Sequence, residues 1–303
     1  MNNKERAEAL LRMGESYISG ENGSPKEYAR AVKVWTEAAL LGNVDAQYNL
    51  GVCYNNGTGV KQDNAEAARW WTMAARQGDA TAIFNIALFY QQGVGVKQDY
   101  AESLKWMKLA AGQNDPDAIY QLGLFYENGW GVEVDTEQMM KYYLSAAEKG
   151  HPKAQDIIGM DYYNKGLYDN AFEWLQKSAE QGYAEAQFHI ARCYHYGHGV
   201  EQNPTEEAQY YQKAARQGHS DAQFNLGYCY LNGVGVEENI EMAAQCFKAA
   251  ATTGDAESQF ITAYFLENGI GCDNDAEEAR YWYEKSAEQG YKTAIEKLKE
   301  YLQ

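Results

Sequence analysis

Residues 46–78 read AQYNLGVCYNNGTGVKQDNAEAARWWTMAARQG. The middle, Gly57-Thr58-Gly59-Val60, has the Gly-x-Gly step that can cradle a phosphate. A dinucleotide loop also needs a preceding strand, a third Gly and a helix N-terminus directly after it. Here a helical stripe precedes the glycines: Ala46, Leu50, Gly51 and Tyr54 stand at i, i+4, i+5 and i+8. No third Gly follows. The next helix starts only after several polar residues, at Asp63-x-x-Glu66, which reads as a capping box. That Asp satisfies the free N–H groups and its charge repels a phosphate. The stretch is two helices joined by a turn.

The stretch is also a repeat. Its anchor recurs as Ala46, Ala82, Ala118, Ala154, Ala186 and Ala222, then Ser258 and Ala294, with an earlier copy at Ala9. The spacing is 36 residues except at 9–46, where it is 37, and at 154–186, where it is 32. Eight units are expected, near 7–43, 44–79, 80–115, 116–151, 152–183, 184–219, 220–255 and 256–291, with a capping helix over 292–303. The Gly-x-Gly loop recurs at 56–60, 92–96, 128–132, 196–200, 232–236 and 268–272. Capping boxes recur at Asp99, Asp135, Asn203 and Asp275, and the loop Val is expected to tuck back into the hairpin. The second helix carries an aromatic stripe: Trp70, Trp106, Tyr142, Trp174, Tyr210 and Trp282, then Trp71, Tyr143, Tyr211, Phe247 and Tyr283 one position on. A stripe that repeats with the unit is core. A lone helical hairpin cannot bury it, whereas stacked neighbours can. Gly78, Gly150, Gly182, Gly218, Gly254 and Gly290 end the second helices.

This pattern resembles the Sel1-like repeat, a relative of the tetratricopeptide repeat, over nearly the whole chain. The resemblance implies an all-α fold: one domain, 1–303, wound as a right-handed α-solenoid of antiparallel helix pairs that holds other proteins together. Two units depart from it. Unit 1 has ISGENGSPKEY in place of the loop, and unit 5, YYNKGLYDNAFEWL, is four residues short. A bend or a break in the groove is expected near 160–175.

Net charge is −17, and 18 acidic against 8 basic residues lie after position 200. Nucleic acid needs a basic face, so it is excluded as a partner; a protein or peptide with a basic face fits. The N-terminus, MNNKERAEALL, has no apolar signal region, and no stretch is long and apolar enough for a membrane span. Five cysteines without a CxxC spacing argue against a disulfide framework, and a cytoplasmic setting is expected. Cys53, Cys193 and Cys229 are equivalent positions, read as small core residues. His189, Cys193, His195 and His198 are metal-ligand types. Cys193, however, matches copies that lack any His, so core packing is the preferred reading and a metal site the alternative. His151 and His219 are read as turn residues. No hydrolase or nucleotide motif occurs. Some cysteine-rich relatives have been proposed as hydrolases of penicillin-type rings, but their paired cysteines are absent here. Neither a catalytic residue nor a cofactor is expected.

In the tetratricopeptide relatives, first helices line a concave groove. Carried over by position, Asn49, Asn85, Gln121 and Asn225 form an amide row, in which His189 shares the position and Ile157 and Ile261 are breaks. An Asn or Gln offers both a donor and an acceptor to a peptide backbone. One turn along lie Val52, Leu88, Leu124, Arg192, Tyr228 and Tyr264. The expected function is a non-enzymatic scaffold or adaptor that binds a protein or peptide there. Two other readings are an immunity or regulatory protein blocking a toxin or enzyme, and a hydrolase of unrecognised type.

Overall fold

The computed structural model describes residues 2–19 and 27–300. The departing loop of the first repeat and the end of the expected capping helix fall largely outside them. The fold is an all-α solenoid of helical hairpins, in two compact units, 1–149 and 150–303. Unit one holds α1 (Asn3–Ser19), α2 (Tyr28–Leu40), α3 (Val44–Asn56), α4 (Asn64–Arg76), α5 (Ala80–Gln92), α6 (Tyr100–Ala111), α7 (Pro116–Asn128) and α8 (Thr136–Glu148). Unit two holds α9 (Pro152–Asn164), α10 (Tyr168–Glu180), α11 (Ala184–Tyr196), α12 (Pro204–Ala215), α13 (Ser220–Asn232), α14 (Ile240–Thr252), α15 (Ala256–Asn268), α16 (Ala276–Glu288) and α17 (Lys292–Glu300). Within each unit every helix packs on its chain neighbours.

The aromatic stripe is core at its second position, where Trp71, Met107, Tyr143, Leu175, Tyr211, Phe247 and Tyr283 are all buried; at its first position Trp70 and Trp282 are buried, whereas Trp106, Tyr142, Trp174 and Tyr210 are half-buried. The loop valines join it, Val96 and Val132 against one cluster of unit one and Val236 against one of unit two. Cys53, Cys193 and Cys229 are buried, and burial pushes their thiols up to about 11, about 12 and about 12.

The Gly-x-Gly loops do two separate jobs. In repeat 7, Gly233 ends α13 in the left-handed conformation, and its N–H and that of Val234 both donate to Cys229 O. Gly235 is also left-handed, but its function is contact: a Cβ there would collide with the Pro204 carbonyl at the start of the preceding repeat's second helix. Equivalent glycines meet Tyr28, Asn64, Tyr100, Tyr168 and Ile240 in the same way.

The capping boxes prove one-sided. Asp63 Oδ1 accepts from Ala65 N and Glu66 N, both at 3.0 Å. The cap's own N–H, which a box would give to Glu66, goes instead to Tyr54 O at 2.9 Å, while Glu66 pairs with Arg69. The hairpin brings the first helix's last carbonyls to that N–H, so the Glu is not needed there. Asp99, Asp135, Asn203 and Asp275 repeat this arrangement, as does Asn239. In three loops a Gln reaches back to the end of the first helix; Gln62 Nε2 donates to Asn55 O at 2.8 Å.

Consecutive repeats are clamped by glutamines. Gln187 Nε2 donates to Ala179 O at 3.2 Å, and Gln217 Nε2 donates to both Gln187 Oε1 and Gly182 O at 2.9 Å. Gln47 with Gln77 and Gln259 with Gln289 repeat the relay. Repeat 7 breaks it. Thr253 stands where Gln217 and Gln289 stand in their repeats, and among the described residues nothing pairs with the buried Gln223 Oε1. Thr253→Gln is therefore expected to stabilise the chain by about 0.5–1 kcal/mol, since it pairs a buried acceptor. Urea unfolding checks this; a neutral or destabilising result would mean the Ser220–Thr253 hydroxyl contact, 2.5 Å long, matters more.

Candidate functional site

The first helices place the expected groove residues at equivalent positions, but the side chains meet different fates. In unit one, Asn49, Asn85 and Gln121 are half-buried, and among the described residues none has a side-chain hydrogen bond. Each amide keeps both its donor and its acceptor. Val52 and Leu88 pack onto the unit-one core, and Leu124 is half-buried.

In unit two the row is used differently. Asn225 Nδ2 donates to Asp221 O at 2.6 Å, folding the amide back onto its own helix. His189 Nδ1 lies 2.8 Å from Asp156 Oδ1, with both side chains nearly buried. Asp156 stands where other repeats carry Tyr48, Phe84, Phe188, Phe224 or Phe260. A carboxylate in that core position needs a partner, and His189 supplies it. Arg192 is half-buried, its guanidinium 5.8 Å from the Phe188 ring centre. Tyr228 and Tyr264 remain 36% and 45% exposed.

Those two tyrosines stand at a pocket of about 130 Å³ with Leu231, Phe260, Ile261 and Phe265. Ile261 breaks the amide row but is a wall of this pocket. The sequence signal for it is the aromatic spacing Phe260–Tyr264 against Tyr228. The pocket is apolar and two of its lining side chains, Tyr228 and Tyr264, stay exposed, an arrangement that can take an apolar side chain. Acidic charge lies beside it, because Glu257 adds to burial in raising Tyr228 above the usual phenol range.

The candidate metal cluster separates into individual contacts. His195 Nδ1 pairs with buried Glu207 at 2.9 Å, and His198 stacks on Tyr168 with Nδ1 2.8 Å from the Tyr163 hydroxyl. Among the described residues no three His, Cys, Asp or Glu side chains converge on a common point for a metal ion. His151 and His219 cap α9 and α13, each accepting through Nδ1 from the N–H of Ala154 or Ala222. Among the described residues no helix is long and apolar enough to cross a membrane.

Eight consecutive segments match the Sel1 repeat: residues 7–43, 44–79, 80–115, 116–151, 152–183, 184–219, 220–255 and 256–291. Among solved structures, c5321, a protective antigen present in uropathogenic Escherichia coli strains and displaying an SLR fold, is 34% identical with a TM-score of 0.83. That match covers 97% of this chain but 66% of c5321, just under two thirds of its length. A Sel1 repeat protein from Oxalobacter formigenes is 32% identical with a TM-score of 0.73, over 97% of this chain and 86% of that one. Immunity protein Pa5087 from Pseudomonas aeruginosa is more distant, at 20% identity and a TM-score of 0.41, over 71% of this chain and 86% of that one. No curated protein matches. Sel1 repeats typically serve as protein-interaction scaffolds. With eight copies spanning nearly its whole length, the chain belongs to the Sel1 repeat family.

Proposed function

We propose that this chain is a non-enzymatic scaffold that holds a partner protein or peptide on its first-helix face. The observation that carries this reading is the exposed pair Tyr228 and Tyr264 over an apolar pocket. Exposed aromatic groups around a concave apolar site are where binding energy concentrates at interfaces. Within unit one, the free amides of Asn49, Asn85 and Gln121 offer a contact type of their own, suited to a peptide backbone regardless of its sequence. The partner presents an apolar side chain flanked by basic residues, in keeping with the acidic excess after position 200. Such charge raises encounter rates more than it fixes affinity.

Affinity capture from the native lysate tests this with the wild type, Tyr228→Ala/Tyr264→Ala and Asn49→Ala/Asn85→Ala/Gln121→Ala. Loss of the aromatic pair is expected to weaken capture by about 2 kcal/mol or more, roughly thirtyfold. Each lost amide contributes about 1 kcal/mol. If both variants retain the same partner at wild-type strength, this face is not the binding surface. Whether the partner loses an activity in the complex separates a scaffold from an inhibitor.

A further inference from the structure

Repeat 4 lacks both halves of the glutamine clamp. Ile119 and Lys149 stand where Gln187 and Gln217 stand in repeat 6, and where Gln47 and Gln77 stand in repeat 2. The clamp acceptors Ala179 O and Gly182 O correspond here to the carbonyls of Ala111 and Asn114, to which no side chain donates among the described residues. A pocket of about 340 Å³ opens at this junction of α6, α7 and α8, within unit one. Two small residues leave room for it. Gly112 stands where Arg76, Glu148 and Arg216 stand in other repeats, and Ser145 where Met73, Leu109 and Lys213 stand.

The walls are of two kinds. Ile119 and Leu122 form an apolar floor beside the half-buried ring of Tyr142, whose hydroxyl is hydrogen-bonded to Tyr126. The polar side chains of the wall are Lys108, Asn114, Ser145 and Lys149. The two lysines and Asn114 are exposed and Ser145 is half-buried. Among the described residues no side-chain hydrogen bond or ion pair engages any of these four, and no carboxylate lines the pocket. In a chain of net charge −17 this is a local cationic site. Each lysine also sits at the negative end of its helix, Lys108 in the last turn of α6 and Lys149 just after α8. That interaction leaves the ammonium N–H donors free for a ligand.

We infer that this pocket binds a phosphate monoester carried on a flat apolar group, with the phosphate at Lys108 and Lys149 and the apolar group on Ile119, Leu122 and Tyr142. The charge follows from the two lysines. A phosphate monoester carries about −1.5 to −2 at pH 7, whereas a single carboxylate leaves one ammonium unmatched. Lysine binds phosphate as a point charge, and Ser145 and Asn114 supply donors for the remaining oxygens. The size follows from the volume. A cavity of about 150 Å³ accepts benzene, so this pocket takes one ring with the phosphate beside it.

Isothermal titration calorimetry of the full chain with phenyl phosphate tests this. Phenyl phosphate is expected to bind at least about tenfold more tightly than inorganic phosphate, and benzyl alcohol not to bind. Lys108→Met/Lys149→Met removes two exposed charges, so it is expected to fold and to weaken binding at least about tenfold. Ile119→Gln/Lys149→Gln supplies the clamp pair of repeats 2, 6 and 8, so it is expected to fold with the pocket closed and binding abolished. A short phosphotyrosyl peptide separates the sources of the group. Tighter binding than phenyl phosphate assigns a partner's modified side chain, and equal or weaker binding a free molecule. No binding of phenyl phosphate to the wild type overturns the inference. Equal affinity for inorganic phosphate, or wild-type affinity in either variant, overturns it as well.

Discussion

Gly235→Ala is expected to destabilise the chain by about 2–5 kcal/mol, and Gly233→Ala by only about 1–2 kcal/mol, although the two glycines are neighbours in one loop. Both are left-handed, with φ +69° and +65°, and an L residue there costs about 1–2 kcal/mol. The difference is what lies behind each Cα. A Cβ on Gly233 meets nothing nearer than Glu238 at 3.6 Å, an ordinary contact. A Cβ on Gly235 runs into the Pro204 carbonyl. That atom is main chain at the start of α12, so it cannot rotate away, and overpacking adds about 1–3 kcal/mol. Stability in a repeat array is a sum of repeat and interface terms, so the loss falls on the junction of repeats 6 and 7. Urea unfolding of both variants measures it. Equal losses would falsify the inter-repeat role of the second glycine.

That role shows what the sequence could and could not disclose. The helices, their turns and the eightfold plan were legible because periodicity and caps are local, and the copies corroborate one another. Contacts between copies were not. Gly235 and Pro204 are separated by 31 positions, and nothing in NGVGV names the carbonyl it touches. The glutamine clamp went unread, because its pairing spans 30 positions and depends on how repeats stack. Asp63-x-x-Glu66 was legible as a cap but not as a one-sided one, because the competing acceptor, Tyr54 O, is supplied by the hairpin. The candidate surface was readable only as positions. Alignment put Asn49, Asn85, Gln121, His189 and Asn225 in one row, but a row says nothing of neighbours. Asp156 engages His189 and the Asp221 carbonyl engages Asn225. Ile261 was a departure whose meaning needed the cavity beside it.

The contact between the two helices of a hairpin makes the sharpest remaining prediction. Gly51 lies under the Trp71 indole, which donates from Nε1 to Tyr48 O at 3.2 Å and meets Phe89 edge-on at 5.0 Å. A Cβ on Gly51 would collide with that ring. Gly14 stands in the same relation to Trp35, whereas repeat 3 carries Ala87 and Met107 at these positions, in one core cluster. Gly51→Ala alone is expected to cost about 0.5–2 kcal/mol, because overpacking of about 1–3 kcal/mol outweighs the roughly 0.5–1 kcal/mol that Ala contributes to a helix interior. Trp71→Met alone is expected to cost about 2–3 kcal/mol, from lost ring burial and one lost hydrogen bond. The double variant reproduces the pairing of repeat 3, so it is expected to be no less stable than Trp71→Met alone. The coupling energy is then at least as large as the Gly51→Ala loss itself, within the range for residues in direct contact. Additive losses in the double-mutant cycle would mean that the hairpin relaxes around the extra methyl group, and that the glycine is not what allows a Trp at this crossing.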